Sequence, residues 1–222
     1  MKIPHLKISF GETKMNKVVK FFILSDYLFW GGWGLISPIF AVFILQRIGA
    51  ANVFTVGAAA ALYYLTKAIS ELPISFYLDR HEGEKDDFYA LLIGLFLGGL
   101  VTLIFLAVTS VAALLLAMVV QGFAFALYSS SWPAIFSRHL DKNHYSLEWA
   151  LDHFGIDVVS AVTAFLGGSI ALLLGFNLIF ILGAVAAFSG TALLFFVPDL
   201  ILPKQTTKEP ILMDHAGPTI GK

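Results

Sequence analysis

The chain contains no cysteine. Disulfide frameworks, thiolate metal sites and cysteine nucleophiles are therefore excluded. Charge is scarce as well: Asp, Glu, Lys and Arg make up 13% of 222 residues, against about 25% in an average soluble domain. The net charge is −1, so no basic excess points to nucleic acid. The Gly-rich phosphate loop and the Gly-x-Ser-x-Gly elbow are also missing. What the chain has instead is apolar weight. Its hydrophobic fraction is 58%, with 21 Phe and 4 Trp, and its mean hydropathy is +0.83. A soluble core of this size does not bury so much apolar surface. The apolar residues also come in long runs, and a run of about 18 or more with few charges reads as a membrane span.

Six such runs predict an all-α integral membrane protein with six transmembrane helices. They lie at roughly 18–46, 53–78, 88–108, 111–136 and 152–174, with a sixth from the Gly175-Phe176-Asn177 turn to Val197-Pro198. The first run is too long for a cleaved signal segment and is read as retained. Residues 1–17 form a basic leading segment, 18–198 the membrane domain, and 199–222 a polar tail. Basic residues cluster on one side: Lys2, Lys7, Lys14, Lys17, Lys20, Arg80, Lys85, Arg138, Lys142, Lys204, Lys208 and Lys222, against Arg47 alone on the other. Lys and Arg are retained in the cytoplasm, so both termini are expected there, in a cell (inner) membrane.

The polar residues are unevenly distributed. The third and sixth spans are almost purely apolar and are expected to face lipid. In the first span Asp26, Trp30, Trp33 and Ser37 fall on one helical face. In the fourth, Gln121, Phe125, Tyr128 and Trp132 repeat that spacing. The second carries Tyr63, Lys67, Ser70 and Glu71; the fifth carries Asp157, Ser160 and Ala164. A charge near mid-bilayer costs at least about 2.5–3.5 kcal/mol, so Asp26, Lys67, Glu71 and Asp157 are expected to face protein or water. A purely structural role stands beside the functional one: Lys67 pairs with Glu71, and Asp26 and Asp157 reach for an interface. Two further segments, Ser37-Pro38-Ile39-Phe40 and Trp132-Pro133-Ala134-Ile135-Phe136, sit at corresponding ends of spans three helices apart. That arrangement is expected of a three-plus-three inverted repeat.

The loop after the second span reads Ser75-Phe76-Tyr77-Leu78-Asp79-Arg80-His81-Glu82-Gly83-Glu84-Lys85. It resembles the loop signature of the major facilitator superfamily, Gly-x-x-x-Asp-Arg-x-Gly followed by a basic pair, through Asp79 and Arg80. Met118 to Ala126 is similar to the superfamily's fourth-span pattern, with Gln121, Gly122 and Ala126 in place and Met118 where the pattern has arginine. Gly167-Gly168 resembles the end of the antiporter pattern, but Thr163-Ala164 replaces its Gly-Pro pair, which argues against an antiporter. The resemblance covers roughly 16–200 and is to the amino-terminal six-helix half of a family whose members mostly have twelve spans.

The resemblance implies a solute transporter rather than an enzyme. Spans one and four would line the cavity, two and five would contact a second half, and three and six would lie outside. The expected cavity residues are Asp26, Trp30, Trp33, Gln121, Tyr128 and Trp132. The expected gating and interface residues are Lys67, Glu71, Asp79, Arg80, Asp152 and Asp157. In the family the acid at Asp79 meets the start of a helix in the other half, which here would be a fifth span beginning near Asp152-His153. The expected partners are the lipid bilayer, a small-molecule solute, and a second copy or a separate six-helix half. No cofactor or metal is expected. A non-transporting membrane interaction protein is the main alternative. A membrane-embedded enzyme built on His139, His144 and His153 is weaker, because their spacing with Asp141 and Glu148 matches no metalloprotease pattern.

Overall fold

A computed structural model of the protein describes residues 16–80, 84–141 and 144–197. Most of the basic leading segment (1–15), the loop residues 81–83 and the polar tail (199–222) lie outside the described residues. Among the described residues all regular structure is helical. Six helices are long and apolar enough to cross a membrane. The first span is broken: α1 (Lys17–Ile36) and α2 (Phe40–Arg47) are joined by a 3₁₀ turn, Ser37–Ile39. The following spans are α3 (Val53–Asp79), α4 (Lys85–Ile104), α5 (Val111–His139), α6 (Tyr145–Leu174) and α7 (Phe176–Leu194). Pro38 lacks the N–H that would continue the helix, and the break falls there. α5 runs through Pro133 without interruption.

Three helix ends extend past the apolar runs. α4 begins at Lys85 with Asp86 and Asp87 in its first turn, and α5 reaches His139 with Arg138 beside it. The expected start of the fifth span at residue 152 is corrected: α6 begins at Tyr145, with Glu148 in its first turn. Acids at a helix start and bases at a helix end are favoured by the helix dipole. Hydropathy discounts these residues, but the helix accommodates them. Local caps fix other ends. Asn52 and Thr55 form a reciprocal capping box at α3, and Ser110 caps α5 through Ala113 N–H.

The packing order follows an open ring. α6 packs on α1, α1 on α7, α7 on α4, α4 on α5, and α5 on α3. The two ends of the ring, α3 and α6, scarcely touch each other. Exchanging the first three spans for the last three leaves this neighbour pattern unchanged. The spans at the ring's ends are the barest, with 11% of an 18-residue apolar stretch of α3 buried and 6% of that of α6. Spans three and six form the back of the ring, each with one face packed and one row exposed, such as Ile93 and Phe96. Two glycines let helices approach closely at the ends of the ring. A Cβ on Gly122 of α5 would lie 2.6 Å from the Tyr63 carbonyl oxygen of α3. One on Gly167 of α6 would collide with the Leu35 carbonyl oxygen of α1.

Candidate functional site: an aromatic cavity backed by buried carboxylates

The inner face of the ring encloses a cavity of about 750 Å³ walled by spans one, two, four and five. α1 supplies Trp30 and Trp33, α3 supplies Tyr63, Tyr64 and Lys67, and α5 supplies Gln121, Phe125 and Tyr128. Ser37 and Pro38, at the break in the first span, also reach the wall. Phe125 is the hub of the aromatic surface. Trp33 meets it edge-on at 5.2 Å, Tyr63 at 5.7 Å and Trp30 at 6.0 Å between ring centres. Edge-to-face pairs at these spacings each contribute about 0.5–1.5 kcal/mol beyond burial, so the wall is set before any solute arrives. The size suits a small organic molecule, since ligand pockets run about 300–1,000 Å³.

Of the six expected cavity residues, Trp30, Trp33, Gln121 and Tyr128 line the wall. Asp26 and Trp132 do not. Asp26 is 2% exposed and lies behind Tyr128, whose hydroxyl donates a 2.5 Å hydrogen bond to its carboxylate. The Trp30 indole N–H donates in turn to the Tyr128 oxygen at 3.1 Å. The acid therefore communicates with the cavity wall through a single hydroxyl. Trp132 sits beyond it, stacked on Phe136 with ring centres 4.5 Å apart and covered by Trp149 of α6. Among the described residues its indole nitrogen has no hydrogen-bond partner.

Asp152 is the residue whose setting differs most from expectation. It is seven residues inside α6 rather than at its start, and it is buried. Among the described residues its Oδ1 has no hydrogen-bond partner. The fit of α6 on α1 is set beside it, where Tyr27 fills the space above Gly155 and its hydroxyl donates to the Leu151 carbonyl at 2.6 Å.

Of the other expected gating residues, Lys67 is on the cavity wall, and Glu71, Asp79, Arg80 and Asp157 are partly or fully exposed. Lys67 and Glu71 pair at 3.6 Å, both partly exposed. Asp79 closes α3 and is exposed; the Arg80 guanidinium lies 4.2 Å over the Phe76 ring. Asp157 is exposed on α6.

One charged cluster is not foreseen by the sequence. At the end of the bundle where α4 starts and α5 finishes, Arg138 pairs with Asp87 and Glu84, and His139 lies 3.6 Å from Glu84. Asn16 ties the first span to it, donating its backbone N–H to Asp141 at 3.0 Å and its side chain to the His139 carbonyl at 3.1 Å. Asp141 N–H then donates to Glu148 at 3.1 Å. The signal available was the pairing of acids in one first turn with bases in another last turn. Among the described residues no group of His, Asp and Glu is arranged to hold a metal ion.

Residues 23–214 match the sequence profile of the Major Facilitator Superfamily. The chain belongs to this superfamily. No curated protein matches it. Membership supports a transporter-type function in a multi-pass membrane protein. It also gives meaning to the fourth-span pattern: a side chain at Gly122 would meet the α3 backbone, and Gln121, beside it, is on the cavity wall. In this superfamily chain the loop motif is partly described, with Asp79 and Arg80 at the end of α3 and Gly83 outside the described residues.

Proposed function

We propose that this six-helix unit moves a small solute across the membrane by alternating access, rocking against a second six-helix unit. The carrying observation is the cavity walled by four spans at the opening of the ring, between α3 and α6. Both flanking helices present nearly bare faces that a second unit would cover. A parallel twofold dimer supplies that unit without a change of orientation, and a separate six-helix partner serves equally well. Lys17, Lys20, Arg80, Lys85 and Arg138 at one end, against Arg47 at the other, support cytoplasmic termini in the cell membrane.

In this reading Trp30, Trp33, Gln121 and Tyr128 contact the solute, and Asp26 carries a coupling proton that reaches the cavity through Tyr128. Asp79 holds the cytoplasmic side closed by meeting the start of α6 in the second unit, at Tyr145. Backbone N–H groups at a helix start favour an acid there. The test is flux: purified protein in liposomes should show saturable uptake or counterflow of a solute that also binds in detergent. The bare faces of α3 and α6 suit an interaction protein as well. That reading predicts a stable complex with binding of no solute and no flux.

A further inference from the structure

We propose that the solute is a small monoanionic aromatic molecule carrying a hydrogen-bond donor, with its carboxylate on Lys67 and its donor on Gln121. This rests on the transporter reading of the same cavity. Among the described residues Lys67 is the one of the wall that bears a formal charge; Glu71 is absent from the lining, and Asp26 is sealed behind Tyr128. The Lys67 ammonium is held only loosely. Its pairing with Glu71 at 3.6 Å is longer than a hydrogen bond. Lys four residues before Glu is also the weaker order for a helical pair. An incoming carboxylate therefore meets a cation with unused donors.

Gln121 provides the second anchor. It is 6% exposed, it borders the cavity, and among the described residues its buried Oε1 has no hydrogen-bond partner. Leaving a buried acceptor unpaired is costly, so a solute O–H or N–H that satisfies it is selected over an analogue without one. The same wall carries the rings of Trp30, Trp33, Tyr63 and Phe125, which would receive a flat ring. The two strongest polar donors of the Trp30–Tyr128 pair are already engaged with each other and with Asp26. Anion selection therefore falls to Lys67.

The test is binding to the full chain in phosphatidylcholine nanodiscs, read by quenching of tryptophan fluorescence. The probes are para-hydroxybenzoate, para-hydroxyphenylacetate, phenylacetate, the neutral alcohol tyrosol and the cation tyramine. At least one hydroxylated acid should bind saturably, tenfold or more tighter than tyrosol or tyramine and severalfold tighter than phenylacetate. Lys67→Gln should erase the preference for the acid over tyrosol, and Lys67→Arg should keep it. Gln121→Leu should erase the preference for para-hydroxyphenylacetate over phenylacetate. Unaltered thermal unfolding of each variant shows that the fold is intact. Tighter binding of tyramine, no saturable binding of any acid, or an unchanged preference in Lys67→Gln overturns the proposal. So does displacement of the acid by added phosphatidylglycerol, which would make Lys67 a lipid contact. Binding without flux in liposomes refutes transport and leaves the solute class standing. Flux of tyramine alone does the reverse.

Discussion

The link from Asp26 through the Tyr128 hydroxyl to Trp30 joins a buried acid to the wall of the cavity. Asp26→Asn keeps an oxygen that accepts from Tyr128, so folding should be retained while uptake, or its dependence on pH, is lost. Proteoliposome flux measured across a pH series checks this; unaltered uptake at every pH would make the acid incidental. Tyr128→Phe has the opposite character. It strips a buried carboxylate of its donor, at a cost of about 1–3 kcal/mol, and thermal unfolding should show a larger loss than in Asp26→Asn. The helical spacing of Asp26, Trp30 and Trp33 was visible in the sequence as a face. Depth on that face was not. Whether a residue lines the cavity or lies behind it depends on what a neighbouring helix places in front. Trp132, one turn past Tyr128, is covered by Trp149 from a helix that periodicity along α5 does not see.

Helix boundaries set what each element presents. The six spans were legible because an unbroken run of about 18 apolar residues matches the thickness of a bilayer and exceeds what a buried soluble helix needs. The start of α6 was not, because Ser146 and Glu148 lower the hydropathy of a turn that is helical all the same. The error had a functional consequence, since it put Asp152 at a helix end when it is about two turns inside. Close contacts between helices were equally hidden, although the glycines that permit them are plain in the sequence. Without a hydrophobic drive between spans, small residues and tight packing carry much of the association. Gly122→Val and Gly167→Val should each force their helices apart, with a loss of about 1–3 kcal/mol typical of overpacking. Lower melting temperatures in detergent, with α-helical content unchanged before the transition, are the expected readout. Substitution at Gly57, whose surroundings are open, is the control and should change little.

The whole unit is a ring with one opening, and the opening is where both bare helices stand. A parallel pair of units should therefore form. Native mass spectrometry in mild detergent should find two, and cysteines placed at Asp79 and Tyr145 of this cysteine-free chain should crosslink between copies. Crosslinks only within one chain, or an active monomer, would sink the dimer. The neighbour pattern, unchanged when the first and last three spans are exchanged, is what an inverted repeat produces. In the sequence that relation rested on two short proline segments. The structure treats these differently, breaking the first span at Pro38 and running straight through Pro133. The packing order is compatible with a repeat, and the two proline segments do not show one.

The order of helices around the ring differs from their order of synthesis. The second span packs mainly on the fourth, and the first mainly on the fifth and sixth. A chain emerging from the ribosome therefore inserts α3, with Lys67 and Glu71, well before α5 exists. Some 60 residues separate the end of α3 from the end of α5. At about 5–20 residues per second this is a wait of roughly 3–12 s. The first span waits longer still. During that interval the face of α3 that later packs against Gly122 is without its helix partner.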